Sequence, residues 1–540
     1  MKKVTPVFTI SVAIAVAFII WGIIAPSNLE AVTTTIQSFI TNELGWFYLL
    51  AATGFLIFCL YLIFSPYGKI KLGKPDDKPE YNYLTWFAFL FTAGMGIGLV
   101  FWGVAEPMYH FFEPPTAEPG SVAAAGEAMR YAFFHWGLHP WAIYSVVALA
   151  LAYFRFRKDS PAVMSAVLEP LIGDRANGAL GTSINVLVVF ATIFGVATSL
   201  GFGAAQISAG LAYLIPGLQT MNGVLLQLLV ILIVTILFML SAQTGLNKGI
   251  RILSKTNVYL AITLMLFVLL FGPTSYIMGV FTQGIGSYLQ NLAGMSFRLD
   301  VYNPETTWVE GWTIFYWAWW ISWAPFVGTF IARVSKGRTI REFVIGVLAV
   351  PSIFGALWFA VFGGTGIQMQ RMGTADIMET MTAGGMEVAL FAVLEQFPLG
   401  LILSIIAVFL ISSFFVTSAD SATVVLGMQT TNGNLNPPNQ VKFVWGIIIS
   451  ATAAVLLSTD KGLGALQTAA IIAALPFTII MIMMVFSVLK SLKEEKPTLA
   501  SEKERIRQER YELKLEREKL KEEKSAFKKE KSQLRNKKDK

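Results

Sequence analysis

Long apolar runs alternate with short polar segments along most of this chain. The hydrocarbon core of a membrane is about 30 Å thick, so a helix needs roughly 20 mostly apolar residues to cross it. By this measure the pattern predicts an all-α membrane protein with twelve spans, numbered in chain order. The predicted spans are 5–25, 45–64, 86–105, 131–154, 183–212, 223–242, 257–282, 312–334, 341–363, 400–427, 443–459 and 465–490.

Two of these spans carry interruptions that are typical of broken helices. Span 3 contains AGMGIG, in which Gly94, Gly96 and Gly98 occupy alternate positions. Glycine costs roughly 1 kcal/mol relative to Ala inside a helix, so this stretch is expected to unwind. Span 8 contains WAWWISWAP, and Pro325 is expected to break the helix there. The alternative for the glycines is close packing between helices.

The two interruptions lie five spans apart, which predicts an internal repeat. Broken helices at matching places in two halves of a chain indicate an inverted-repeat transporter, whose freed carbonyls coordinate a cation near the membrane midplane. We therefore expect a two-helix addition at 1–85, one five-helix repeat at 86–285 and a second at 286–492. Spans 3–7 and 8–12 form the two repeats.

Span 10 places hydroxyl groups inside an apolar helix, in the stretch SSFFVTSADSATVV. Hydroxyl and carbonyl oxygens suit a hard monovalent cation such as Na⁺. Thr417 and Ser418 are adjacent, so both can approach one ion beside the unwound part of span 3. Asp420 lies among them, and carboxylates within membranes usually mark a site or a buried partner. The alternative is that the hydroxyls bond back to the i−4 carbonyls of their own helix.

Aromatic residues are concentrated in spans 4 and 8, in runs without acidic residues. Trp136 and Tyr144 share a face of span 4, and Gly137 and Pro140 are expected to redirect Trp141 toward them. Span 8 contributes Trp319, Trp320 and Trp323. Aromatic faces attract quaternary ammonium groups, so the pattern favours a cation cage. The alternative is the aromatic belt at the membrane interface.

Charge is concentrated at the carboxyl end of the chain. Only 14% of all residues are charged, yet residues 493–540 hold 30 of the 75 charged residues and +6 of the net charge of +7. The high pI therefore arises from this tail and not from the apolar body of the chain. No nucleic-acid partner is expected. Loops on one side of the predicted membrane contain sixteen Lys and Arg residues and those on the other contain four. The positive-inside rule then predicts that both termini are cytoplasmic.

Few residues are of the types that transition-metal or catalytic sites need. The chain has one cysteine, Cys59, and three histidines, His110, His135 and His139. His135 and His139 have i, i+4 spacing, but no Cys, Glu or third His accompanies them in sequence, so a zinc site is not favoured. No nucleophile–base set and no phosphate-binding loop is present. We expect neither an enzyme nor a cofactor, and no ATP-driven step.

Four long motifs resemble the betaine/choline/carnitine transporter family, and most closely its sodium-coupled glycine betaine transporters of Gram-positive type. They are AGMGIGLVFWGVAEP (93–107), HWGLHPWAIY (135–144), the run 312–343 and FFVTSADSATVVLGMQT (414–430). The resemblance covers about residues 5–490. It implies the inverted-repeat fold of the leucine-transporter type, often in homotrimers, in a bacterial cell membrane. It also implies uptake of a trimethylammonium compound for osmoprotection.

The resemblance also implies a set of binding residues. The cage comprises Trp136, Trp141, Tyr144 and Trp320, with Trp319 and Trp323 along the substrate path. One Na⁺ is held by the carbonyls of Thr92, Met95 and Phe414 and the hydroxyls of Thr417 and Ser418. A second Na⁺ involves Thr198, Ser199 and Phe326. Gly98 favours glycine betaine as substrate, because many proton-coupled choline carriers have Asp there. Choline, proline betaine and carnitine stay as alternatives.

The tail repeats one apolar residue every seven positions, at Ile506, Leu513, Leu520, Phe527 and Leu534. A coiled coil has two apolar positions in every seven residues, and this pattern supplies only one of them. One interpretation is a solvated, partly helical extension; the other is an osmosensing tail that binds anionic lipid in a salt-dependent way.

For the whole chain, the alternatives to a symporter are an ion channel and a sensor that does not transport.

Overall fold

A computed structural model describes residues 5–94, 96–221, 223–244, 247–303, 305–495, 507–508 and 511–525. These residues are mainly helical and contain no β-strand. The first helices are α1 (Pro6–Ile24), α2 (Pro26–Phe64), α3 (Tyr83–Gly94), α4 (Ile97–Phe112), α5 (Val122–Trp136), α6 (Leu138–Ala152), α7 (Met164–Val167), α8 (Glu169–Ile172), α9 (Ala179–Leu214) and α10 (Gly223–Thr244). They continue with α11 (Asn247–Phe271), α12 (Thr274–Ser296), α13 (Phe315–Val334), α14 (Ile340–Met372), α15 (Ile377–Gly384), α16 (Ala389–Leu394), α17 (Gly400–Thr430), α18 (Asn439–Leu457) and α19 (Leu463–Glu494).

The ends of these helices follow from local sequence. At the start of α14, the Thr339 hydroxyl accepts from the Glu342 backbone N–H at 3.2 Å, and the Glu342 carboxylate accepts from the Thr339 N–H at 2.9 Å. This capping box satisfies two backbone donors that have no partner within the helix. The same helix ends at Gly373, whose φ of 68° is a left-handed conformation that glycine adopts without a steric penalty.

Ten helices of the described chain are long and apolar enough to cross a membrane, and the prediction of an all-α membrane protein is confirmed. Predicted spans 3 and 8 are not among the ten. Span 3 consists of two helices, α3 and α4, each under 18 residues. The helix of span 8, α13, has 20 residues, but its tryptophans and Tyr316 lower its mean hydropathy.

Two more predicted spans contain helix breaks, and the boundary of one of them, span 7, is wrong. Predicted span 7 (257–282) runs past the end of α11 into α12. Gly272 and Pro273 separate these helices because proline has no N–H and disfavours helical geometry in the preceding residue. Predicted span 4 (131–154) contains the break at Gly137 between α5 and α6.

Helix packing among spans 3, 4, 5, 8, 9 and 10 follows a twofold pattern, in which a contact between two spans recurs between the two spans five places away. Span 8 (α13) packs against span 4 (α6), and span 9 (α14) packs against span 3 (α4). Likewise α13 packs against α9 of span 5, and α17 of span 10 packs against α4. Successive spans alternate in direction and five is odd, so related spans run in opposite directions. The packing is that of an inverted repeat, while the exact divisions at residues 85 and 285 stay predictions.

The chain divides into two compact units, Met1–Ser487 and Val488–Lys540. In the second unit, residues 511–525 form a helix whose side chains are all exposed. Leu513 and Leu520 lie on it, 56% and 47% exposed. Ile506, Phe527 and Leu534 of the predicted heptad pattern lie outside the described residues.

Candidate functional site

A cavity of about 460 Å³ is lined by residues of spans 3, 4, 5, 7, 8 and 10. Aromatic rings line one part of it and oxygen-bearing side chains another, with two exposed arginines, Arg155 and Arg333, also on its wall. The lining residues that concern the predicted site are Gly96, Gly98, Trp136, Tyr144, Ser199, Trp319, Trp320, Trp323, Phe326, Phe414, Thr417, Ser418 and Asp420.

The four predicted cage residues form one buried cluster with edge-to-face contacts. The Trp136 and Trp320 ring centroids lie 4.8 Å apart at an interplanar angle of 82°. Tyr144 meets Trp320 at 5.9 Å and 84°, and Trp141 meets Tyr144 at 5.5 Å and 80°. Edge-to-face pairs at 4.5–7 Å are favourable for aromatic rings. Spans 4 and 8 thus bring together rings that are far apart in sequence.

Trp141 occupies a different position from its three partners. Trp136, Tyr144 and Trp320 line the large cavity, but Trp141 lines a second pocket of only about 10 Å³ on the other side of Tyr144 and Trp320. Such a volume is at the lower limit for a single water molecule, so it is too small for a trimethylammonium group. In this structure the cavity therefore presents three of the four cage rings.

Trp319 and Trp323 also line the cavity. Trp319 stacks between Trp320, at 4.9 Å, and Phe315, at 5.7 Å. The Trp323 indole N–H donates to the Gly195 carbonyl of α9, which links span 8 to span 5. The Trp317 ring, on the same helix, stacks on His139 at 5.1 Å and does not line the cavity.

The glycines of span 3 occupy three different settings. Gly94 ends α3, Gly96 lies in extended conformation between the helices, and Gly98 lies in the first turn of α4. A Cβ atom at residue 98 would lie 2.6 Å from Cη2 of Trp319 and 3.2 Å from Cη2 of Trp136. A Cβ atom at Gly96 would meet no atom within 4 Å. Gly98 is thus required for close approach of the indoles.

The prediction that Pro325 breaks the helix of span 8 is wrong. Helix α13 continues through Pro325 to Val334, and the irregular turn of this span is the π-helical segment Glu310–Ile314 at its start. Proline leaves one carbonyl without its helical N–H partner, but packing of α13 against α6 and α9 on both sides keeps the helix intact.

The predicted first sodium site is described only in part. Phe414, Thr417 and Ser418 line the cavity on α17, Thr92 lies in α3 near its end, and Met95 lies outside the described residues. The Thr417 hydroxyl donates back to the Ser413 carbonyl at 3.0 Å and lies 3.2 Å from that of Phe414. The alternative of back-bonding therefore occurs, but a hydroxyl oxygen retains lone pairs for a cation.

Of the predicted second sodium residues, Ser199 and Phe326 line the cavity and Thr198 does not. The buried Ser199 hydroxyl has no hydrogen-bond partner among the described residues. Thr198 contacts the carbonyls of Phe194 at 2.8 Å and Leu466 at 3.0 Å instead. Its hydroxyl thus joins span 5 to span 12.

Asn257, which the sequence analysis did not single out, supports the hydroxyls of span 10. It is buried on α11, accepts a hydrogen bond from Ser413 and donates to Thr417 at 3.4 Å. It also lines the cavity. A lone amide within an apolar span was the available signal, since such groups need a partner inside the membrane.

The sequence analysis also missed Glu106, a fully buried carboxylate behind the cage. It contacts His110, His135 and the indole N–H of Trp136. The expectation that no Glu or third His accompanies His135 is thus wrong, whereas His139 contacts Ser296 elsewhere. Glu106, His110 and His135 could in principle hold a metal ion. However, both histidines contact the same carboxylate oxygen, so the atoms are arranged as a hydrogen-bond network.

Comparison with known proteins gives matches along nearly the whole chain. Residues 6–497 match the family described as betaine/carnitine/choline family transporter. The chain is 54% identical to the glycine betaine transporter OpuD of Bacillus subtilis, over 92% of this chain and 96% of that protein. It is 47% identical to a probable glycine betaine transporter of Desulfitobacterium hafniense, over 92% and 99%. It is 44% identical to an ectoine/hydroxyectoine transporter of Virgibacillus pantothenticus, over 91% and 96%.

Proposed function

The chain belongs to the betaine/carnitine/choline family of transporters, and from that premise we propose that it imports glycine betaine together with Na⁺. It is a multi-pass membrane protein whose family and relatives are transporters. The proposal adds the substrate, the coupling ion and the direction. Two relatives above 45% identity are named as glycine betaine transporters, which supports this substrate.

The observation that carries the proposal is the meeting of Trp136, Tyr144 and Trp320 at one cavity wall. A trimethylammonium group has no N–H donor, so a carboxylate gives it no hydrogen bond, whereas aromatic faces attract its charge and contact its methyl groups. Such cation–π contacts are worth about 2 kcal/mol or more when they are desolvated. The cavity is also large enough for a small osmolyte in the range typical of ligand pockets.

Sodium coupling is supported by oxygen atoms on the same cavity. Thr417 and Ser418 of α17, Ser199 of α9 and Gly96 at the break of span 3 all line it. Na⁺ prefers such hard ligands. Each positive charge that enters along the membrane potential supplies about 2.3 kcal/mol per 100 mV, which is sufficient to concentrate an osmolyte.

The orientation of the protein in the membrane rests on the positive-inside rule, whereas the inward direction of transport follows from the Na⁺ gradient and the membrane potential. Arg155 and Arg333 lie on the wall of the cavity and belong to the arginine- and lysine-rich side that we assign to the cytoplasm. On this assignment both termini are cytoplasmic and the cavity extends toward the cell interior. Assembly as a homotrimer and contact of the tail with anionic lipid are parts of the proposal that the family resemblance supports.

Uptake by purified protein in proteoliposomes tests the proposal. Labelled glycine betaine should accumulate saturably with an inward Na⁺ gradient and a negative interior, and accumulation should cease when K⁺ replaces Na⁺ outside. Unlabelled glycine betaine, choline, carnitine, proline betaine and ectoine then compete in separate samples. Ectoine is included because a relative of 44% identity is named for it. We expect glycine betaine to compete most strongly. If choline or ectoine competes more strongly, that compound is the substrate and the proposed assignment to glycine betaine is wrong.

The same assay separates the other functional classes. An ion channel would give Na⁺ current without saturable betaine uptake, and a sensor would give neither. Uptake that is saturable but follows a proton gradient instead of Na⁺ would remove the sodium part of the proposal and keep the substrate.

A further inference from the structure

Glu106 is fully buried and lies within hydrogen-bond distance of four side chains. Its Oε2 accepts from the Trp136 indole N–H at 2.8 Å and from the Tyr316 hydroxyl at 2.6 Å. Its Oε1 lies 2.7 Å from Nδ1 of His135 and 3.2 Å from Nε2 of His110. A carboxylate buried in a membrane protein is costly unless it is paired in this way.

The four partners come from three spans, each of which contains an irregular segment. Glu106 and His110 lie on α4, which follows the break of span 3, and Trp136 is the last residue of α5 before the break at Gly137. Tyr316 lies two residues after the π-helical segment of span 8. His135 extends the network to Thr313 within that segment, at 3.0 Å. One carboxylate thus joins spans 3, 4 and 8, and its contacts in spans 4 and 8 lie beside irregular turns.

The chemistry of these contacts requires a carboxylate. An ionised carboxylate only accepts and offers about four lone-pair sites, which matches the two donors Trp136 and Tyr316 and two histidine nitrogens in the tautomers that donate to it. Glutamine has the same shape but would turn an NH₂ group toward two of them. Hydrogen bonds to charged groups are also about twice as strong as neutral ones. Glu106 does not line the cavity, so it acts on a ligand there either through its charge or through the side chains that it holds, and not by contact.

We propose that Glu106 is a positioning residue for the ammonium end of the substrate, which acts by fixing the Trp136 ring against Trp320. Trp136 lies between Glu106 on its indole N–H and Trp320 on its ring. Fixing a binding group before the ligand arrives reduces the entropy lost on binding. The inference rests on the proposed function for its choice of substrate.

A double-mutant cycle measures this positioning. Glu106→Gln should raise the apparent KM for glycine betaine at least tenfold while the maximal rate at equal protein abundance changes less than threefold. Trp136→Phe keeps a ring but removes the N–H donor, so in that background Glu106→Gln should change KM less than threefold. Glu127→Gln, at another buried carboxylate that binds Thr116 and Arg130 away from the cage, should leave KM unchanged. Equal effects of Glu106→Gln in both backgrounds would overturn the inference.

Two further measurements keep the test decisive. If Glu106→Gln does not accumulate, Tyr316→Phe removes a donor from the same carboxylate oxygen, and its effect on KM should likewise shrink in the Trp136→Phe background; additive effects contradict the inference. If the wild type takes up no betaine, the proposed function is wrong, but the positioning of Trp136 by Glu106 can still be tested. The positioning is then measured in protein with ¹⁵N-labelled tryptophan. The indole resonance that Trp136→Phe removes should shift upfield in Glu106→Gln, and an unshifted resonance overturns the inference.

Discussion

The indole of Trp320 meets the indole of Trp136 edge to face, with ring centroids 4.8 Å apart at 82°. The Trp320 N–H donates to the carbonyl of His135, the residue before Trp136, at 3.0 Å. Spans 4 and 8 are therefore joined at the cage by both ring packing and a hydrogen bond, and the orientation of each indole depends on the other span.

Replacement of Trp320 tests the cage. Trp320→Ala should raise the apparent KM for glycine betaine at least tenfold, in line with loss of a desolvated cation–π contact of about 2 kcal/mol. Trp317→Phe is the matched control on the same helix, because Trp317 stacks on His139 and its indole N–H has no partner among the described residues. Its KM should stay within twofold of wild type. Equal effects of both variants would argue against the cage.

Two glycines of span 3 are expected to differ sharply in their tolerance of a methyl group. Gly98→Ala places a Cβ atom 2.6 Å from Trp319, so the indole must move and the KM for glycine betaine should rise at least tenfold. Gly96→Ala meets nothing within 4 Å and should transport at close to the wild-type rate. Initial rates of uptake at several substrate concentrations measure both, and a larger loss in Gly96→Ala would contradict the assigned contacts.

The hydroxyls of span 10 are expected to control sodium dependence. Thr417→Ala and Ser418→Ala should each raise the Na⁺ concentration for half-maximal uptake at least fivefold, because each removes one oxygen ligand. Ser412→Ala is the control, since its hydroxyl bonds back to Val408 at 2.7 Å and does not line the cavity. Unchanged sodium dependence in both cavity variants would rule out this site.

Asn257 is expected to act on the same sodium dependence from span 7. Asn257→Ala removes the side-chain acceptor of the Ser413 hydroxyl, which keeps the Leu410 carbonyl, and it removes the amide donor to Thr417. The half-maximal Na⁺ concentration should therefore rise about threefold or more. Asn291→Ala, whose amide bonds within α12 to Ser287, serves as control. An effect on the glycine betaine KM alone would place Asn257 in substrate binding instead.

Truncation after Leu492 tests the tail. The shortened protein should transport glycine betaine, because the cavity lies within Met1–Ser487, but its activation by external osmolality should flatten. The cationic tail is expected to bind an anionic membrane surface less as salt increases. Uptake at a series of osmolalities, in liposomes with and without anionic lipid, measures this. An unchanged activation curve would leave the tail as a solvated extension.

Local sequence pattern determined much of this protein. Apolar run length gave the membrane class and most spans, because a helix in lipid must satisfy its backbone internally and cover about 30 Å. The motifs around Gly98, Trp136, Trp320 and Thr417 indicated the family, which the comparisons confirm. The break of span 3 was likewise visible in its glycines, because the cost of glycine in a helix is a local property.

Tertiary structure alone decided which of these groups meet. Glu106 and Trp136 are 30 positions apart and Asn257 and Thr417 are 160 apart, and no periodicity within one helix encodes such pairs. Packing on both sides also overrode the proline signal in α13, because neighbouring helices stabilise a segment whose own sequence disfavours it. Hydropathy therefore defined where the helices lie, whereas the need of each buried polar group for a partner from another helix defined the site.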